Sequence, residues 1–173
     1  MRFLSVLAAM VTVTAATPAL AHNHATSTVV EAAIASPDHK TLVAAVKAAN
    51  LVDTLASPGP FTVFAPNDKA FEALPQGTVA TLLEPANIGK LKAILTYHVV
   101  PGKVLAADLI KTIQANGGTA NLTTVEGSIL QASLVNGSVV LTDENGGKAT
   151  VVAADVKGSN GVIHVTNAVS LPK

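Results

Sequence analysis

Three residues of this chain are of types that hydrolytic chemistry commonly uses: Asp68, His98 and His164. With one of the many serines or threonines they could form a triad, in which a histidine activates a hydroxyl group. However, no serine stands in a Gly-x-Ser-x-Gly elbow, and the sequence has neither paired acids nor a glycine-rich phosphate loop. His164 alternates with Ile163 and Val165, so we expect it to be exposed or to make a single hydrogen bond. We therefore expect no catalytic residues and no enzymatic activity.

A candidate metal site lies near the N-terminus. If a signal peptide is cleaved after Ala21, the remaining chain begins His22-Asn23-His24. The free amine, the first backbone amides and the imidazole of His24 could then bind Cu²⁺ or Ni²⁺ in a square plane, with His22 as a competing or axial ligand. The alternative is that residues 22–25 form a flexible polar tail without a ligand. We expect no other cofactor.

The only tyrosine, Tyr97, directly precedes His98 in the stretch LTYHVVPG. His98 shares an apolar helical face with Leu91 and Leu95, and the following Val-Pro step turns the chain into an extended conformation. One interpretation is a helix end at which the hydroxyl and the imidazole make buried hydrogen bonds and fix the transition from helix to strand. The other is a recognition site for a partner. The sequence leaves both open.

The first 21 residues have the form of a secretory signal peptide. A positive charge at Arg2 precedes an apolar run, and Ala19-Leu20-Ala21 forms a small-residue cleavage box. The chain has no cysteine, so its stability outside the cytoplasm depends on core packing alone. Beyond Arg2 it has no arginine, no tryptophan and no basic run, which excludes the usual nucleic-acid surfaces. We expect a secreted or periplasmic protein that neither inserts into a membrane nor binds nucleic acid.

The spacing of apolar residues predicts mainly helices before residue 101, with one strand among them, and strands after it. Helices are predicted over residues 29–35, where Thr28 and Glu31 form a capping box, and over residues 37–49, 67–74 and 87–97. His39, early in the second helix, is interpreted as a solvated turn residue. Strands are predicted over residues 61–66, 129–135, 138–142, 148–156 and 162–171, with Asn-Gly pairs at the hairpins. Helices followed by an antiparallel meander indicate an α+β fold.

Three segments resemble the fasciclin-I domain family: FTVFAPNDKAF (61–71), LTYHVVPG (95–102) and NGVIHVTNAVSLP (160–172). They are similar, in order and spacing, to that family's first conserved box, its Tyr-His motif and its second conserved box. The resemblance covers about residues 26–172 and implies a wedge-shaped antiparallel β-sandwich with flanking N-terminal helices. It also implies an extracellular adhesion role, for which we expect a cell-surface or extracellular-matrix protein as the partner and a monomeric chain.

The resemblance also assigns roles to individual residues. In the family the first box mostly organises the fold; here it includes Thr62, Phe64, Pro66, Asp68 and Phe71, and His164 falls in the second box. Tyr97 and His98 match a motif associated with integrin-dependent adhesion in animal matrix members. Those members carry an Asp-Ile pair before the second box, where this chain has Asp155-Val156. Asn167 stands where family members often have aspartate.

Overall fold

The computed structural model describes residues 27–173, so the predicted signal peptide (1–21) and tail (22–25) lie outside the described residues. The helices are α1 (Val29–Ala35), α2 (Lys40–Ala48), α3 (Val52–Ala56), α4 (Asp68–Glu72), α5 (Thr78–Leu83), α6 (Ile88–Tyr97) and α7 (Ala106–Ala115), with a short 3-10 turn, Pro85–Asn87, before α6. The strands are β1 (Phe61–Pro66), β2 (Val99–Pro101), β3 (Thr119–Thr123), β4 (Ile129–Val135), β5 (Ser138–Thr142), β6 (Lys148–Gly158) and β7 (Gly161–Thr166).

Helix α1 begins where its capping box predicts. The Thr28 hydroxyl accepts a hydrogen bond from the Glu31 N–H at 3.3 Å, and the Glu31 carboxylate accepts one from the Thr28 N–H at 2.8 Å. Two backbone donors that a helix start leaves unpaired are thereby satisfied. The predicted cap and helix are both confirmed.

Helix α2 begins later than predicted, because its N-terminus is capped from a distant segment. The helix was predicted to begin at residue 37, but it begins at Lys40. The Asp68 carboxylate instead accepts hydrogen bonds from the N–H groups of Thr41 at 2.8 Å and Lys40 at 3.4 Å. A carboxylate at this position satisfies free N–H groups and complements the helix dipole.

His39 is buried, so its interpretation as a solvated turn residue is wrong. Only 4% of the residue is exposed, and its Nδ1 lies 2.8 Å from the Ser36 hydroxyl. The Asp68 N–H donates to the Asp38 carbonyl at 2.8 Å, which pins the turn before α2 against the start of α4. Periodicity within one segment carries no information about a second segment that packs over it.

The seven strands form one nearly closed sheet in the order β2-β1-β7-β6-β5-β4-β3. A hydrogen bond of 2.8 Å from the Val125 N–H to the Val99 carbonyl links the chain just beyond β3 to β2, at the opposite edge. The α+β class is therefore confirmed. The expectation of a wholly antiparallel sheet is wrong at one pair, because β1 and β7 run parallel from Phe61↔Gly161 to Pro66↔Thr166. Their ends are connected through most of the chain, which removes the need for a tight hairpin.

The long strand β6 joins the two halves of the sheet. Its first residues, from Lys148 to Thr150, pair with β5, and the stretch from Val151 to Gly158 pairs with β7. The register shifts twice between Val151 and Val156. Such bulges bend a strand and increase its twist, which lets one strand serve two differently oriented ladders.

Two hydrophobic cores lie on opposite sides of β1 and β7. The helix-side core packs α1, α2, α3 and α6 against the sheet and includes Leu42, Val46, Leu95 and Ile163. The barrel-side core lies within the curved sheet and includes Phe64, Tyr97, Leu109, Ile113, Leu130 and Leu141. Helix α7 supplies Leu109 and Ile113 to this second core, although the sequence reading expected only strands after residue 101.

Candidate functional site

Tyr97 ends helix α6 inside the barrel-side core. It has no exposed surface, and its hydroxyl donates a hydrogen bond to the Ile129 carbonyl at 3.0 Å. Burial raises the pKa of Tyr97 to about 12, since a phenolate there would lose its hydration. The residue is therefore a neutral donor that ties the end of α6 to the start of β4.

His98 joins three segments through its two ring nitrogens. Nδ1 donates to the Ile94 carbonyl at 2.7 Å, and Nε2 accepts from the Ser170 N–H at 3.0 Å. Because one partner can only accept and the other can only donate, these bonds fix the neutral tautomer with its proton on Nδ1. Burial lowers the pKa of His98, and the Ile94 bond and the charge of Asp143 oppose that shift only partly. The pair thus makes the buried hydrogen bonds that one interpretation of the sequence anticipated.

His164 is buried and makes two hydrogen bonds, so the expectation of an exposed or singly bonded residue is wrong. Its Nε2 donates to the Val104 carbonyl at 2.8 Å, and its Nδ1 accepts from the Asp155 N–H at 3.3 Å. The ring also stacks on Phe64, with centroids 5.4 Å apart. Side chains do alternate between the two faces of β7, as the sequence predicts, but a hydrophobic core covers each face of this central strand, so neither face is exposed.

Thr62 and His164 together fix the connection between β2 and α7. The Thr62 hydroxyl donates to the Gly102 carbonyl at 2.7 Å and accepts from the Val104 N–H at 2.8 Å, while His164 holds the Val104 carbonyl. The N–H and the carbonyl of Val104 are therefore both hydrogen-bonded by side chains from the neighbouring strands β1 and β7. The remaining predicted first-box residues are also integrated into the fold: Phe64, Pro66 and Phe71 are buried, and Asp68 caps α2.

Asp155 and Val156 lie on the exposed stretch of β6. Asp155 has a left-handed backbone, with φ of 59°, inside the second bulge. Its carboxylate accepts a hydrogen bond at 2.9 Å from the N–H of Ala106, the first residue of α7. Val156 is 41% exposed and Val152 is 55% exposed. This stretch therefore combines an anchored acidic side chain with apolar surface that no other part of the described chain covers.

The structure does not bring the hypothetical hydrolytic triad together. Asp68 binds the N-terminus of α2, His98 binds Ile94 and Ser170, and His164 binds backbone groups at 104 and 155. Among residues 27–173, no hydrogen bond joins any two of these three side chains. Each is engaged with the backbone, which is the arrangement of residues that organise a fold.

No metal centre occurs in the part of the chain that the structure describes, and an open surface pocket of about 330 Å³ lies beside α5, lined by residues that include Gln76, Thr81 and Lys90. No group of three histidine or acidic side chains between residues 27 and 173 is placed to hold a metal ion, and His22 and His24 lie outside that range. An apolar cavity of about 30 Å³ lies between α1, α2 and the sheet, lined by residues that include Val30, Leu42 and Ile163. That volume is comparable to one or two water molecules.

Two residues with several hydrogen bonds were missed by sequence reasoning: Asn160 was interpreted only as a turn residue, and Asp143 was not singled out. The Asn160 side chain accepts from the Val29 N–H at 2.9 Å and donates to the carbonyls of Leu55 and Ser57, at 2.7 and 2.9 Å. The Asp143 carboxylate accepts from Gly147 at 2.7 Å, from Asn145 at 3.0 Å and from Leu171 at 2.9 Å. An Asx residue in a turn is a signal for such bonds, but the distant partners are visible only in the fold.

The same architecture occurs in a protein of known structure. A solved structure of a FAS1 domain pair from the insect cell adhesion molecule Fasciclin I superposes with a TM-score of 0.73 at 24% identity, covering 82% of this chain and 50% of that one. The fold is thus that of a FAS1 domain. The fasciclin domain model matches residues 37–172, and the chain belongs to the fasciclin domain family.

Sequence relatives come from both bacteria and animals. The chain is 51% identical to Protein sll1483 of Synechocystis over 145 residues, which is 84% of this chain and 73% of that protein. It is 34% identical to Immunogenic protein MPB70 of Mycobacterium bovis over 160 residues, covering 90% of this chain and 74% of the other. Transforming growth factor-beta-induced protein ig-h3 of Sus scrofa is 37% identical over 131 residues, which are 76% of this chain and 17% of that protein.

None of the helices between residues 27 and 173 has the length and apolar character needed to cross a bilayer.

Proposed function

We propose that this chain is a secreted adhesion module that binds a cell-surface or matrix protein along the free edge of β6. One observation carries the proposal: from Val151 to Gly158 this strand pairs with β7 on one side, and no described strand pairs with its other side. Unpaired strand edges offer backbone donors and acceptors to an extended segment of a partner.

The surface chemistry of this edge supports a protein partner. Val152 and Val156 are 55% and 41% exposed. The negatively charged Asp155 lies between them in the sequence, and the positively charged Lys157 follows Val156. Exposed apolar groups bordered by charges are typical of recognition surfaces, where the apolar part supplies affinity and the charges set the register. The bulges and the left-handed Asp155 interrupt this edge, so a partner segment can pair with only a short part of it and continuous pairing with a long flat strand is disfavoured, which limits non-specific aggregation.

Tyr97 and His98 enter the proposal as residues that act through the fold. Both are buried, with exposures of 0% and 3%, and their polar atoms are already engaged. Substituting either would damage the junction of α6, β2 and the C-terminal segment. A loss of adhesion in such a variant would therefore follow from unfolding as readily as from a lost contact.

The test is binding of the purified secreted chain to its producing cells and to a panel of matrix proteins. Val156→Lys is expected to weaken saturable binding by about tenfold or more, which corresponds to roughly 1.4 kcal/mol. Val135→Lys is the matched control, because Val135 is 46% exposed and lies at the end of β4. Equal binding by both variants would contradict the use of the β6 edge.

Saturable binding to none of these surfaces would refute the adhesion proposal itself. The runner-up is a secreted or periplasmic domain that binds copper or nickel through His22 and His24 or takes a small ligand. A synthetic peptide copy of the tail distinguishes the metal function, since the site would need no folded domain. The small cavity beside α1 gives the small-ligand function no support of its own.

A further inference from the structure

Four Asn-Gly pairs occur in this chain, at residues 116–117, 136–137, 145–146 and 160–161. In such a pair the glycine backbone nitrogen can attack the asparagine side-chain carbonyl carbon, since glycine has no Cβ to hinder the approach. The amide leaves as ammonia and a five-membered succinimide forms. Water then opens the ring at either carbonyl and yields aspartate or isoaspartate. The reaction needs a free nucleophile, a mobile side chain and access for water.

We propose that the tip of the β4–β5 hairpin, Asn136-Gly137, is the site at which the folded protein deamidates. Asn136 has φ of 51° and Gly137 has φ of 80°, the two left-handed residues of a type I′ turn between Val135 and Ser138. Both turn residues are exposed. Among the described residues neither the Asn136 side chain nor the Gly137 N–H has a hydrogen-bond partner, so amide and nucleophile are both available.

The pair at 160–161 is protected by its surroundings. The Asn160 amide makes three hydrogen bonds: both of its N–H groups donate, to the carbonyls of Leu55 and Ser57, and its oxygen accepts from the N–H of Val29. Gly161 also packs directly against the backbone of Phe61, so the main chain has no room to move toward the side chain. Reaction at Asn160 requires these bonds to open together, which slows it by roughly a hundredfold or more.

The pair at 145–146 is held in a different way. The Asn145 side-chain amide donates to the carbonyls of Leu171 and Pro172, at 2.9 and 3.2 Å. The Gly146 N–H donates to the Asp143 carbonyl at 3.0 Å, so the nucleophile is also engaged. Protection here depends on the C-terminal segment remaining docked on the β5–β6 turn.

The pair at 116–117 lies between these extremes. Asn116 is exposed, but it follows the last turn of α7, and the Gly117 N–H donates to the Gln114 carbonyl at 3.4 Å. A long hydrogen bond restrains the nucleophile without blocking solvent. The structure therefore ranks position 136 first and position 116 second, and it places positions 145 and 160 well behind.

The modification changes both charge and backbone at the hairpin tip. Each deamidation replaces a neutral amide by a carboxylate and makes the chain one charge unit more negative than its formal net charge of zero. Isoaspartate also adds a methylene group to the main chain, and a two-residue turn tolerates no extra atom without altering the register of its strands. Preparations of different age would therefore contain separable charge forms that differ at the end of β4 and β5.

The experiment incubates the full purified chain at mildly alkaline pH and maps aspartate and isoaspartate at each site by peptide mass spectrometry. The expected result is product at position 136 first, with at least about tenfold less at positions 145 and 160 over the same time. A parallel sample in concentrated urea should react at comparable rates at all four sites, because the protection is structural. Asn136→Gln should remove the first acidic charge form, with a small decrease in melting temperature because glutamine fits the left-handed turn position less well than asparagine.

Two results would overturn the proposal. The first is folded chain in which position 136 reacts no faster than position 145 or 160. The second is the same ranking of sites in urea as in the folded chain, which would mean that local sequence and not the fold sets the rates.

Discussion

Replacing Phe64 by alanine tests the packing of the barrel-side core. Phe64 lies in the middle of β1, has no exposed surface and stacks on the His164 ring with centroids 5.4 Å apart. Its removal would leave a cavity beside the His164 ring, in the core that also includes Tyr97 and Leu109. Because β1 is paired on both sides, with β2 and with β7, its backbone has little freedom to move into the cavity.

The expected loss is large relative to the stability of a domain. Phenylalanine-to-alanine substitutions in closed cores lower the free energy of unfolding by about 3–5 kcal/mol. A domain of this size loses about 2–4 °C of melting temperature per kcal/mol, so the expected decrease lies between about 6 and 20 °C. Since whole domains are stable by only about 5–15 kcal/mol, the variant should be marginal at 37 °C.

The assay is thermal and urea unfolding followed by circular dichroism and by the emission of Tyr97. This probe is specific, because the chain has one tyrosine and no tryptophan, and Tyr97 lies in the same core as Phe64. Phe61→Ala is the matched control, since Phe61 lies on the same strand but is only partly buried, at the margin of the helix-side core. A decrease of only about a degree or two for Phe64→Ala, or an equal decrease for both variants, would refute the packing argument.

Three further predictions concern polar groups. Burial lowers the pKa of both His39 and His98, so below about pH 6.5 the unfolded chain binds protons that the folded chain does not. The free energy of unfolding, measured in urea, should therefore fall between pH 7 and 5 by up to about 1.4 kcal/mol per pH unit for each imidazole. His98→Gln should reduce this slope. Asp68→Ala should cost about 1–2 kcal/mol by removing the cap of α2, whereas Asp68→Asn, which keeps an acceptor, should cost less. Asn167→Asp should leave the melting temperature nearly unchanged, because the Asn167 side-chain oxygen accepts a hydrogen bond from the Thr150 N–H at 2.8 Å and a carboxylate oxygen can accept the same bond. A clear decrease in melting temperature would mean that the NH₂ group of Asn167 also stabilises the fold.

Local signals predicted the elements whose determinants are local. The capping box at Thr28 placed α1, and the Asn136-Gly137 turn placed the β4–β5 hairpin. Each depends on hydrogen bonds or backbone angles within a few residues, which a single sequence displays directly. The family resemblance rested on three such local boxes, and the order of the predicted helices and strands indicated the α+β class.

Features that depend on distant contacts were not predictable in this way. The start of α2 depends on Asp68, which lies 27 residues beyond Thr41. The burial of His164 depends on two cores that close over β7 from opposite sides. Helix α7 was missed although Leu109 and Ile113 have helical spacing, because the change from helical to strand patterns at residue 101 was taken to hold for the whole second half.

The double role of Asp155 decides how adhesion experiments on this surface can be interpreted. Its carboxylate is exposed and available to a partner, yet it also accepts a hydrogen bond from the first N–H of α7, and its own N–H donates to His164. Asp155→Ala therefore removes a potential contact and a helix cap together, and it should lower the free energy of unfolding by about 1 kcal/mol. Val156→Lys changes the same edge without touching that network. If the two variants lose binding to similar extents while only Asp155→Ala loses stability, the contact surface is the edge itself. If only Asp155→Ala loses binding, the interaction depends on the Asp155 carboxylate or on the position of α7 that it holds, and not on the apolar part of the β6 edge.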